Sequence, residues 1–135
     1  MKRNIMEQVT KSEIITDEDI KLLVHTFYAK VRADELLGPV FQPIIKDNWE
    51  PHLNRMVDFW STILLYTHKY KDDPMPKHMQ LPVGQHHFDR WLLLFNETLD
   101  ALFFGETAEN AKLRAASIAK IMMVIRARKD GPAVL

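Results

Sequence analysis

Six histidines, His25, His52, His68, His78, His86 and His87, are the side chains here best suited to hold a metal or move a proton near neutral pH. Most have an ordinary explanation. His25 falls between the apolar positions of its helix and is expected in solvent, and His68 lies among Tyr66, Thr67 and Lys69 of a loop. His86 and His87 are adjacent, so on a helix their side chains diverge by about 100° and do not readily share one ion. No His-Glu-x-x-His pattern, Gly-x-Ser-x-Gly elbow or glycine-rich phosphate loop occurs. Cysteine is absent, which excludes a thiolate metal site, a disulfide framework and a cysteine nucleophile.

His52 and His78 stand apart. His52 shares a helical face with Trp49, Met56 and Phe59, so its imidazole points into apolar surroundings where it must find a partner. His78 sits in Pro74-Met75-Pro76-Lys77-His78-Met79-Gln80-Leu81-Pro82, where flanking prolines restrict the backbone and would hold the ring in place. With the aromatic residues Tyr28, Phe41, Phe59 and Trp91, the two suggest a flat apolar ligand buried with a histidine on each side. A haem fits that description.

Four long segments of helical periodicity must position these groups. The first spans about residues 16–36, with Thr16 or Asp17 as N-cap and a stripe of Ile20, Leu23, Val24, Phe27, Tyr28 and Val31. Gly38-Pro39 ends it, and a short turn carrying Val40 and Phe41 is expected before Ile44 and Ile45. The second starts near Asn48, tolerates Pro51 in its first turn, and turns Trp49, His52, Met56, Phe59, Trp60, Ile63 and Leu64 inward. The third runs from Gly84 to Gly105 on a stripe of Phe88, Trp91, Leu92, Phe95, Leu99, Leu102 and Phe103. The fourth starts near Thr107, a candidate N-cap, and reaches about Arg128, with Ala115, Ile118, Ala119, Met122 and Ile125 inward.

No segment reads as a strand, so the predicted class is all-α. Between the second and third helices, about residues 66–85 hold three prolines, and an irregular stretch of that length in a compact domain points to function. The chain of 135 residues is 47% hydrophobic and 27% charged, which fits one globular domain over residues 1–135 with its core at about 17–127. The first ~15 residues and the tail 130–135 are expected to be loosely ordered. Eighteen basic residues balance eighteen acidic ones, so no field makes nucleic acid a default partner. No apolar run approaches the ~20 residues of a membrane span and no signal peptide is evident, which favours a cytoplasmic protein.

Several stretches, in order, resemble the truncated globins, and specifically their third group. They are Phe27-Tyr28-Ala29-Lys30-Val31-Arg32, Leu37-Gly38-Pro39-Val40-Phe41, Trp49-Glu50-Pro51-His52, Phe59-Trp60, His78-Met79-Gln80-Leu81-Pro82 and Phe88-Asp89-Arg90-Trp91-Leu92 with Leu94-Phe95. The resemblance implies a two-over-two helical sandwich around haem b. In it His78 is the proximal iron ligand, and Tyr28, His52 and Trp91 line the distal, ligand-binding face. It likewise implies that Phe41, Met56, Phe59 and Leu81 lie against the cofactor, with O2, CO and NO as ligands.

Within that frame the phenol and indole are donors that need not ionise, and both together favour tight O2 binding with slow release. His52, with an ordinary pKa near 6.5, is expected to swing outward on protonation, making CO association depend on pH between about 5 and 8. Lys77, Arg90 and Arg55 are the basic side chains considered for the haem propionates. A haem enzyme with peroxidase-like or NO-dioxygenating chemistry is the alternative, and it would need a separate reductase. A haem-free helical sensor module is the remaining one, disfavoured by the proline-framed His78 loop.

Overall fold

Thr16 closes the first turn of the first helix in the way its sequence position suggests. Its hydroxyl accepts from the Asp19 N–H at 3.4 Å, while the Asp19 carboxylate accepts from the Thr16 N–H at 2.9 Å and the Ile15 N–H at 2.8 Å. In the structure, a computed structural model that describes residues 10–69 and 83–127 and side chains as far as 124, this helix is α1 (Asp17–Ala33). It is followed by α2 (Gly38–Ile45), α3 (Trp49–Leu65), α4 (Gln85–Leu102) and α5 (Glu106–Ala127). No strand occurs among the described residues, and the all-α class is observed.

The helices form two pairs, one laid on the other. α1 packs on α3 and α4 on α5, while α1–α4 and α3–α5 contacts join the pairs. The apolar stripes explain the arrangement: every stripe residue named for α1 is buried, and α4 buries Phe88, Trp91, Phe95 and Leu99. α5 presents Ala108, Ala111, Ala115, Ala119 and Met122 at helical spacing, all buried, so its backbone comes close to its neighbours.

Three local readings need correction. Residues 38–45 are a helix and not a turn: Phe41 and Ile45 are buried on one face, and that burial outweighs Pro39 near its start and Pro43 inside it. Gly38 is needed there because a Cβ would come within 2.7 Å of the Arg32 carbonyl oxygen. Thr107 is not a cap, since α5 starts at Glu106 after Gly105, whose φ of 101° suits glycine. Residues 12–14, expected to be loosely ordered, are placed, because Ser12 pairs with the backbone around Phe103 and Ile14 is buried in the core.

Asp34 is the polar fastening between α1 and the other layer. Its Oδ2 accepts from the N–H groups of Leu36 and Leu37 at 3.1 and 3.0 Å, and its Oδ1 accepts from Arg90 Nε at 2.7 Å. Arg90 is thereby engaged by α1's end, which weakens its candidacy for a propionate. Burial alone would raise the Asp34 pKa, but the Arg90 guanidinium and the two backbone donors outweigh it and hold the carboxyl below its usual range. Replacing Asp34 by Ala is expected to cost about 1–3 kcal/mol in denaturant unfolding, because a carboxylate with a buried side chain loses two backbone donors and the half-exposed Arg90. Lys112→Ala, which removes the surface pairs to Asp100 and Glu109, should cost well under about 1 kcal/mol in the same assay.

Candidate functional site

Helical spacing on α1 puts Phe27 and Tyr28 on the buried face, and the same rule on α3 and α4 brings His52 and Trp91 toward them. Tyr28, His52 and Trp91 are 1%, 3% and 2% exposed, so three polar side chains from three helices share one apolar interior. The Tyr28 and His52 rings meet edge to face with centroids 5.2 Å apart. Phe27 bridges to the third, lying 4.8 Å from Tyr28 and 5.6 Å from Trp91, edge-on to both. Trp91 in turn stacks on Phe95 at 5.7 Å with nearly parallel planes.

His52 Nε2 and Trp91 Nε1 are fully buried and have no hydrogen-bond partner among the described residues. Burial drives the Tyr28 pKa far above its ordinary value, so the phenol keeps its proton. The Trp91 indole N–H tempers that rise from nearby without forming a hydrogen bond of ordinary geometry. Burial pushes His52 the other way, down to about 4, with the positive charge of Arg55 as the lesser cause. His52 is therefore neutral at physiological pH, and the expected titration between pH 5 and 8 is not supported by its surroundings.

Phe41 and Met56 are buried in the same core, and Phe59 packs against it half-exposed, edge-on to Trp60 at 5.5 Å. His78 and Leu81, with Lys77, lie outside the described residues. His25 and His68 are exposed, as expected. His86 and His87 do not diverge: their rings are tilted with centroids 4.1 Å apart. The cause is a task the sequence did not reveal, since His87 Nδ1 accepts from the Gly84 N–H at 3.0 Å and satisfies a free donor at the start of α4. No group of three metal-binding side chains occurs among the described residues.

Trp49 is the site neighbour that periodicity alone leaves as plain core. Its ring is 6.3 Å from Tyr28 and 5.8 Å from His52. The signal that could have found it is its place one turn before His52 on the same face.

Residues 12–127 match the family model for the bacterial-like globin. The group 3 truncated hemoglobin ctb of Campylobacter jejuni is 37% identical over 112 residues, covering 80% of this chain and 87% of that protein. The crystal structure of the group III truncated hemoglobin from Campylobacter jejuni superposes with a TM-score of 0.75 at 36% identity, covering 83% of this chain and 91% of that one. No helix among the described residues is long and apolar enough to cross a membrane.

The depressed His52 pKa carries a stability consequence with a definite sign. Above pH 6.5 neither the folded nor the unfolded imidazole is charged, and His52 contributes nothing. As pH falls from 6.5 toward 4, the unfolded chain takes up a proton that the folded chain refuses, so stability falls. The loss totals about 3 kcal/mol on the scale of 1.36 kcal/mol per unit. Comparing denaturant unfolding of wild type and His52→Phe at pH 7 and pH 4.5 checks it, the variant losing less stability by roughly 2–3 kcal/mol. Equal losses would overturn the assignment.

Proposed function

Because the chain belongs to the bacterial-like globin family, as one of the group III truncated haemoglobins, we propose that it holds haem b within the two helix pairs and binds O2, with CO and NO, beside Tyr28, His52 and Trp91. The observation that carries this reading is the burial of His52 Nε2 and Trp91 Nε1, both without a partner among the described residues, next to a phenol kept protonated. Left empty, each buried polar atom costs about 1–3 kcal/mol. A small ligand bearing partial negative charge gives them something to bind, so these residues fit the cofactor that the family implies.

When bound, the haem supplies an iron centre able to take a diatomic gas. The chain does the rest. His78 is assigned to the iron as proximal ligand, and the partner of its second ring nitrogen would tune the centre. Phe41, Met56, Phe59 and Leu81 provide apolar contact and keep water out. Tyr28 and Trp91 each offer a proton that does not leave, so both act as hydrogen-bond donors to the ligand across the ordinary pH range. Two such donors slow the departure of O2, which suits sensing, scavenging or chemistry better than bulk transport.

A neutral His52 imidazole can accept a proton from a peroxide and return it, so peroxidase-like chemistry is compatible with the pocket as well. NO-dioxygenating chemistry, which the haem would supply when bound, is compatible with the same pocket. It would draw electrons from a separate reductase, since the sequence holds no glycine-rich dinucleotide motif. A cytoplasmic setting, where such a reductase is at hand, belongs to this reading.

Hemin titration followed by absorption spectroscopy tests the cofactor. The wild type is expected to give a stoichiometric globin-type spectrum, and His78→Ala to lose it or change its iron-ligand bands. A wild type that stays colourless overturns the proposal. For the ligand pocket, Tyr28→Phe and Trp91→Phe are each expected to raise the O2 dissociation rate by roughly tenfold, one hydrogen bond's worth. Unchanged rates in both would show that these residues do not hold the ligand.

A further inference from the structure

One buried hydroxyl outside the pocket ties three parts of the fold together. Besides Tyr28 and the tryptophans, the buried polar side chains among the described residues are His52, Ser61 and Thr98. His52 belongs to the pocket, and Thr98 donates to the Leu94 carbonyl of its own helix at 2.8 Å. Ser61, on α3 and without solvent contact, uses its hydroxyl between elements. It donates at 2.8 Å to Oδ1 of Asp17, the first residue of α1. A hydroxyl has one hydrogen to give, so the 3.0 Å contact between Ser61 Oγ and Thr67 Oγ1 is a bond that Thr67 donates. Lys69 closes the group with an exposed ion pair to Asp17 Oδ2.

Thr67 lies just beyond α3, in a stretch that a free chain would not favour. Tyr66 and His68 on either side of it both have left-handed backbones, with φ of 58° and 62°, a region costly for residues with a Cβ. Burial of their rings does not hold them there, since both are exposed. The Thr67 hydroxyl, pinned on Ser61, is the side-chain bond that fixes the direction in which the chain leaves α3. The chain re-enters the described structure at Val83, which is buried, and Gly84, whose N–H is held by His87 Nδ1. The stretch that includes His78 therefore begins and ends at fastened points.

We propose that Ser61, Asp17 and Thr67 are positioning residues for the iron ligand His78, fixing through the backbone where its stretch of chain starts. The inference rests on the gas-binding reading above and deepens it, because it makes a hydrogen-bonded group outside the pocket a determinant of the iron–imidazole bond. Without the Thr67 bond, Tyr66 and His68 are free to leave the left-handed region, and the imidazole meets the iron over a spread of orientations. A group that served stability alone would behave differently. Its loss would lower the unfolding free energy and leave the iron–imidazole bond as it was.

The test compares Thr67→Val, which keeps the shape and loses the hydroxyl, with Thr67→Ser, which keeps the hydroxyl, and adds Ser61→Ala. Resonance Raman spectroscopy of the ferrous, ligand-free, haem-loaded protein reads the iron–histidine stretching band, and transfer to an excess of an apoglobin acceptor reads haem loss. Thr67→Val and Ser61→Ala are expected to shift or broaden the band and to speed haem loss by roughly twofold to tenfold, one hydrogen bond's worth. Thr67→Ser should follow the wild type. Asp34→Ala, which removes a fastening elsewhere in the fold, should lower stability and leave the band in place. A band and rate unchanged in Thr67→Val or in Ser61→Ala, or matched by Thr67→Ser or Asp34→Ala, overturn the positioning role while the gas-binding reading stands. A wild type that takes up no haem, or a His78→Ala protein with the wild-type band, overturns the assignment of His78 and the positioning role with it.

Discussion

Everything in this molecule is arranged around an unfavourable act of burial. Tyr28, His52 and Trp91 are brought from three helices into one apolar interior, where two of their nitrogens find no partner among the described residues. A fold selected for stability alone would have replaced them with phenylalanine or leucine, which fill the same space without a desolvation cost of about 1–3 kcal/mol per orphaned group. Their cost is offset by a large apolar core that includes Phe27, Phe41, Phe88 and Phe95, all essentially without solvent contact. The rings of Phe27 and His52 pack edge-on about Tyr28, so each polar side chain is set among aromatic neighbours.

The same low-polarity surroundings set the protonation of each group. A phenol whose pKa is pushed up and an imidazole whose pKa is pushed down are two consequences of one cause, the penalty on charge. The pocket is thereby uncharged across the physiological range, with dipoles in place of ions. Neutral donors stabilise a partly negative ligand without giving it a proton. That property follows from burial before any cofactor chemistry is invoked.

How much of this was legible beforehand depends on whether the deciding force was local. The α1 cap at Thr16, the stripes of α1 and α4, and the start of α3 next to Pro51 are written in short-range patterns, and the structure follows them. The joint burial of Tyr28, His52 and Trp91 was also legible, because each lies on an apolar helical face. α2 was not: two prolines and a glycine read as punctuation, and only the tertiary burial of Phe41 and Ile45 makes a helix of them. The His52 pKa was misjudged for a similar reason. Sequence puts the imidazole on an apolar face but does not give the size of the desolvation penalty there, which with the lesser effect of the Arg55 charge carries the pKa down to about 4. His87 looked like a spare surface histidine, and its use as an acceptor for the Gly84 N–H follows from backbone geometry at the helix start.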